Sequence, residues 1–455
     1  MNGTGHGTEA AEAAREGRSL LRRLCAFYFP LAVQGISMSL TYPLVGSVVA
    51  HGPLGAAEYA LLAQAQAIMF LVGSVGNGLV STGMIFTKTK RGLRNFAVLS
   101  LSLGAGAVAL QALCCLPPFD GVVFGRLYRL EGESFRLARS MLLFSIPMNF
   151  AFFVRNTGLA SLFREKRTDK ATFATFFRIG LTWACSIAFV KLGWVGWKWG
   201  LGLTTAAVWI ETALVNALSV PYSRRLPEDG AEPVSIGRQY AFTIPLSLGG
   251  MMLCLSGTAV PAFLALTPDP LLSRNVHYIA FGILTPLSVA AARMQSVSIA
   301  FPPGEHRPGA VFAFALGVGA FLSALSLLLQ VPSVAAWYFG GVQNLAAGEI
   351  PLAREAMLVV GAIPLVVAAK GYGEGRAAVA MRPNAILASQ IAYLAAQMGV
   401  FFALVQLRPV AGHLMSAVSI LAAQLFSLAV LRVALHANRI ADDFGVAHAA
   451  PGHGR

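Results

Sequence analysis

Long apolar runs separated by short polar connections set the pattern of this chain. A helix needs about 20 residues to cross the hydrocarbon core of a bilayer. Twelve runs of that kind lie near 24–50, 56–86, 95–117, 139–163, 171–192, 199–220, 240–266, 275–301, 309–331, 354–375, 384–406 and 410–435. They predict an all-α polytopic membrane protein with twelve transmembrane helices.

The pattern occurs twice. Arg23-x2-Ala26-Phe27-x2-Pro30-Leu31-x3-Gly35 returns 215 residues later as Arg238-x2-Ala241-Phe242-x2-Pro245-Leu246-x3-Gly250, and Ile85-Phe86 returns as Ala300-Phe301. Leu137-Ala138-Arg139, Met141-Leu142 and Ile146-Pro147 are echoed by Leu352-Ala353-Arg354, Met357-Leu358 and Ile363-Pro364. Each copy holds six helices and starts on the same side. That symmetry predicts two six-helix lobes related by a pseudo-two-fold axis along the membrane normal, as in transporters whose halves rock around a central site. The expected segments are a tail at 1–18, an N-lobe at 19–220, a Pro- and charge-rich linker at 221–235, a C-lobe at 236–437 and a tail at 438–455.

Composition reinforces the membrane reading and narrows the chemistry. With 56% hydrophobic and 12% charged residues the chain is too apolar for an ordinary soluble domain. The formal net charge of +14 leaves no compact basic domain for nucleic acid, and it follows the positive-inside rule instead. Arg15, Arg18, Arg22, Arg23, Lys88, Lys90, Arg91, Arg94, Arg164, Lys166, Arg167, Lys170, Arg224, Arg225, Arg238, Arg307, Arg376, Arg382, Arg432 and Arg439 fall on one side. We therefore expect a multi-pass protein of the cell (cytoplasmic/inner) membrane with both termini cytoplasmic. The five cysteines have no zinc-type spacing and the eight histidines no helix-face pairing, so no metal or cofactor is expected. No P-loop and no catalytic order of side chains is present, so the chain is not expected to be an enzyme.

Ionisable groups inside the runs are the candidate site. An uncompensated base at the bilayer centre costs about 2.5–3.5 kcal/mol on insertion scales, so each needs a partner, a wet cavity or an anionic ligand. Lys370 and Glu374 stand among Gly371, Gly373 and Gly375, after Pro364. The glycines predict a loosened helix, with Pro364, Gly371, Gly373 and Gly375 as hinge positions. Lys370 has two readings, substrate contact or an i,i+4 pair with Glu374. Arg155, followed by Asn156, has the same choice, with Glu211 as its alternative partner. Arg293 lies among small residues that leave room for a cavity, and Asn77 sits on a glycine-rich face of the second helix. Arg178 reads as structural or snorkelling.

Three stretches carry a family resemblance: Phe27-x2-Pro30-Leu31-x4-Ile36; Met69 through Gly83-Met84-Ile85-Phe86 to Lys90-Arg91; and the tenth run, with Pro364, Lys370 and Gly375. With Pro147 and Gly158 of the fourth run, they resemble the progressive ankylosis (ANK) family, within the multidrug/oligosaccharidyl-lipid/polysaccharide (MOP) flippase superfamily. The resemblance implies a MATE-like fold, alternating access, and transport of small anions such as citrate, other carboxylates, nucleotides or pyrophosphate. Ser37–Pro43 lacks the family's acidic residues, and Cys254 occupies its basic position in the seventh run. The expected partners are a small anionic substrate and membrane lipid, with no nucleic acid, and the expected assembly is a monomer. The alternatives are a lipid-linked oligosaccharide flippase, a multidrug cation antiporter, and a membrane-embedded interaction protein that would have no cavity between its lobes.

Overall fold

The computed structural model describes residues 5–38, 41–228, 234–303, 309–343 and 345–437. The first helix, α1, runs Gly5–Met38 and continues, past residues 39–40, in a short helix Thr41–Ala50. Eleven further helices are long and apolar enough to cross a membrane: α2 (Ala57–Phe86), α3 (Lys90–Leu113), α4 (Gly132–Arg164), α5 (Thr168–Lys191), α6 (Trp197–Arg224), α7 (Ile236–Leu264), α8 (Pro270–Ala300), α9 (Ala310–Gln330), α10 (Ile350–Val379), α11 (Pro383–Leu407) and α12 (Gly412–Ala437). The fold is the twelve-helix, two-lobe arrangement.

Packing repeats between the halves. In the first lobe α1 lies on α5, α4 on α6, and α3 on α4; in the second α7 lies on α11, α10 on α12, and α9 on α10. Irregularities repeat as well. A short π-helix at Gly121–Leu127 is matched by one at Ala336–Val342, each 215 residues from the other. The α4 helix breaks at Ser145, just before Ile146-Pro147, and α10 breaks at Gly361–Ala362, just before Ile363-Pro364. Proline lacks the N–H that would continue the preceding turn but starts a helix well, so the same dipeptide resets the ladder in both copies.

Three expectations need correction. The segment around Lys370 is one unbroken helix, Ile363–Val379, and its glycines do not loosen it. They serve close approach: a Cβ on Gly375 would meet Ser298 Cβ at 2.5 Å and Gln295 O at 2.6 Å, and one on Gly373 would meet Leu431 at 3.0 Å. Packing against α8 and α12 outweighs the roughly 1 kcal/mol that glycine costs a helix, and the helix breaks earlier, at Gly361–Ala362, between two and three turns before Gly371. The first helix starts earlier than expected, at Gly5 rather than near residue 24. The sixth helix also runs past its expected end: α6 continues through Pro221 to Arg224, which forfeits the one N–H bond that Pro221 cannot donate. Linker positions 229–233, Arg307 and the tail 438–455 lie outside the described residues.

The lobes meet through α1 against α8 and α7 against α2. Toward the face carrying the basic connections, Phe86 packs edge-on against Phe242 and Phe27 against Phe301. The hydroxyls of Thr82 and Thr243 bond at 2.8 Å, and Gln239 donates to Gly92 O at 3.1 Å. Nearer mid-membrane, Tyr28 donates to Ala290 O at 3.1 Å and Ser247 to Val75 O.

Candidate functional site

In the first lobe the buried polar groups gather on Glu211 of α6, which has no solvent exposure. Arg155 of α4 donates to Glu211 Oε2 at 2.7 Å, Arg178 Nε of α5 lies 2.9 Å from the same oxygen, and Thr175 donates to Oε1 at 2.6 Å. Gln34 of α1 donates to Thr175 at 2.9 Å, so the network spans four helices. One carboxylate thus holds two guanidiniums in a low-dielectric interior, where charge-assisted bonds are strongest. Arg155 also lies over the Phe152 ring at 5.0 Å.

The second lobe carries the counterpart at the same 215-residue shift. Arg155 corresponds to Lys370, Thr175 to Gln390 and Arg178 to Tyr393. These three are again brought together. Lys370 Nζ lies 3.4 Å from Gln390 Oε1, 3.5 Å from Ser427 Oγ and 5.3 Å from the centre of the Tyr393 ring. What differs is the acid. Position 426 is Phe where Glu211 stands in the first copy, and the carboxylate comes instead from Glu374, 3.9 Å from Lys370 and bonded by Gln390 Nε2. The C-lobe cluster is looser, and it borders a cavity of about 650 Å³ lined also by His277, Gln397 and Gln424. His277 is held by Ser416 Oγ at 3.1 Å.

Arg293 stands at the break in α8, between Ala292 and Met294, and reaches across the lobe interface. A Cβ on Gly35 of α1 would lie 3.4 Å from its Nε. The helical stretch that follows it, Met294–Ala300, packs against Ile146–Arg164, which carries Arg155. Among the described residues no carboxylate lies within ion-pair distance of Arg293, and its Nε has no hydrogen-bond partner. Among the described residues Glu211 is thus the carboxylate that Arg155 and Arg178 share, while Arg293 has none within ion-pair distance.

The positions predicted from sequence divide accordingly. Arg155 and Lys370 are not free cations facing each other: each has a carboxylate, Arg155 tightly and Lys370 at 3.9 Å. Arg293 is the base left without one. Asn156 is buried beside Arg155 and makes no hydrogen bond among the described residues. Asn77 is exposed at the break in α2 and faces Gly250 of α7, where an added Cβ would come within 2.9 Å of its amide nitrogen. Arg178 is an anchor of the Glu211 cluster. Gln34, Thr175, Gln390, Tyr393 and Ser427 are uncharged, so no cost argument singled them out; the 215-residue shift applied to Arg155 and its neighbours would have found the C-lobe group.

No protein-family model matches the sequence, and no curated protein matches it. Solved structures do share its architecture. A crystal structure of MATE in complex with MaL6 superposes with a TM-score of 0.71 over 92% of this chain and 96% of that one, at 17% identity. The outward-facing conformation of a multidrug resistance MATE family transporter of the MOP superfamily gives 0.70 over 92% and 96%, also at 17% identity. A MOP superfamily transporter from Pyrococcus furiosus, described as having a binding pocket of reversed polarity that suggests a different function, gives 0.67 over 92% and 94% at 14% identity. The chain has the MATE-like fold.

Proposed function

We propose that this protein is a secondary membrane transporter that moves small organic or phosphate-bearing anions between its two lobes by alternating access. The observation that carries the reading is Arg293. A guanidinium without a carboxylate, placed where the lobes meet, is costly in a bilayer and calls for a wet cavity with an anion to complete it. Arginine's planar fork suits carboxylates and phosphates, which it binds through two parallel bonds. On this reading the ANK-like traits in the sequence and the reversed pocket polarity described for the Pyrococcus furiosus neighbour belong together. The same reading places both chain ends on the cytoplasmic side, since the positive-inside rule puts the basic connections there.

Multidrug cation antiport, the alternative raised by the sequence, has one observation in its favour: Glu374 lines the C-lobe cavity. That carboxylate is already engaged by Lys370 and Gln390, so a cation would have to displace a resident one.

Proteoliposomes decide between them. Uptake of citrate, pyrophosphate and ATP should exceed that of a cationic dye, and Arg293→Gln should lower anion uptake at least tenfold, about the effect of one lost charge-assisted contact. Dye transport with no anion flux would refute the proposal.

A further inference from the structure

A further cavity lies outside both charged clusters. It is a groove of about 1000 Å³ along the outside of the lobe interface, between α1 on one side and α8 and α9 on the other. Its lining is mostly apolar, and Leu21, Phe29, Val33, Phe321 and Leu325 are exposed along it. In a membrane such a groove faces hydrocarbon. From Leu20 to Ile36 it follows α1 for roughly 24 Å at the helical rise of 1.5 Å per residue, enough for one acyl chain.

The pseudo-symmetry explains why it is open. The equivalent place on the other side, between α7 and α3, is closed: Tyr240 bonds Ser102, and Asn95 donates to Val234 O at 3.0 Å. The residues 215 positions from Tyr240, Ser102 and Asn95 are Cys25, Gly317 and Ala310; the glycine and the alanine have no polar side-chain atom, so neither bond has a counterpart. Gly317 lines the groove, and a Cβ there would meet nothing within 4 Å.

The mouth of the groove is polar and basic. Arg23 and Ser19 line it, with Arg22 exposed next to Arg23 on α1. Across from them is Ala310, the first residue of α9, whose cap residue Gly309 has no side chain to occupy the turn's free amides. Basic side chains and a helix start at the headgroup level, above an apolar slot that opens sideways, match a lipid phosphate above its tail. We propose that this groove holds an anionic phospholipid drawn from the leaflet on the basic face, with its phosphate at Arg23 and one acyl chain lying between α1 and α9.

Because the walls belong to different lobes, the lipid would bind one lobe arrangement better than the other and bias the equilibrium between them. Arg23 lies 5.7 Å from the centre of the Phe301 ring, which packs on Phe27, so the headgroup site adjoins the contact that closes the lobes on that face.

Native mass spectrometry of the detergent-solubilised protein, titrated with phosphatidylglycerol and with phosphatidylcholine of the same chains, tests this independently of any transported substrate. Wild type should retain one phosphatidylglycerol about fivefold more tightly than phosphatidylcholine, the scale on which one arginine attracts an anionic lipid. Arg23→Gln should reduce phosphatidylglycerol to the phosphatidylcholine level. Gly317→Trp, which extends into open space and leaves the packed interior alone, should abolish retention of both. Equal retention of the two lipids by wild type would overturn the proposal, as would undiminished retention by Gly317→Trp.

Discussion

Replacing Glu211 with glutamine tests the physical account of the first lobe most directly. The side chain keeps its shape and one acceptor, but the charge that holds Arg155 at 2.7 Å and Arg178 at 2.9 Å is gone. Glu211 is fully buried, so water cannot take its place. Removing one partner of a buried pair costs about 3–5 kcal/mol, mostly the penalty of the charge left behind. At about 2–4 °C per kcal/mol for a unit the size of one lobe, melting should fall by roughly 6–20 °C. Glu374→Gln is the internal comparison. Its pair is longer, 3.9 Å, and Lys370 retains the Gln390 and Ser427 oxygens, so the expected loss is about 1–2 kcal/mol. The assay is tryptophan-monitored thermal unfolding in one detergent, with Arg155→Met and Arg155→Met/Glu211→Gln completing a double-mutant cycle. The double variant should lose less than the sum of the single ones, by up to about 3 kcal/mol. Equal losses in Glu211→Gln and Glu374→Gln, or simple additivity in the cycle, would refute the claim that Glu211 is the electrostatic hub.

Further outcomes follow from the same geometry. Gly375→Val should destabilise by about 1–3 kcal/mol through overpacking against Ser298 and Gln295, whereas Gly371→Ala, with neighbours no closer than 3.2 Å, should cost less than about 1 kcal/mol; thermal unfolding separates them, and a silent Gly375→Val would restore a hinge role. Lys370→Ala should reduce anion uptake less than Arg293→Gln does, because Lys370 is already paired; flux measurements in which Lys370→Ala is the more damaging would move the main contact into the C-lobe cavity. Burial, reinforced by Cys114, pushes the Cys115 thiol up to about 11. The reactive thiolate is therefore scarce below that pH, and maleimide labelling of Cys115 should be slow at pH 8 and accelerate as pH rises toward 11. Fast labelling at pH 8 would show that Cys115 is not held as described.

How much was legible beforehand differs between fold and site. The twelve spans, the duplication and the two lobes could be read directly, because a bilayer demands long apolar helices and a duplicated gene keeps its prolines and aromatics in register. The ionisable residues could be read too, since charge in an apolar run is costly enough to stand out. Their partners could not. Glu211 lies 56 residues from Arg155 and 33 from Arg178, and only the folded lobe shows that one carboxylate serves both, leaving Arg293 as the base without one. The glycines after Lys370 misled for the same reason. Local propensity said that the helix should loosen, and packing against α8 and α12 overrode it. The groove beside α1 was hidden more completely, because it arises where the two copies differ: Cys25 and Gly317 replace a tyrosine and a serine. Periodicity along a chain reports which residues face apolar surroundings. Which charge meets which, and where two packed surfaces fail to close, depends on distances between helices, and those exist only once the lobes have assembled.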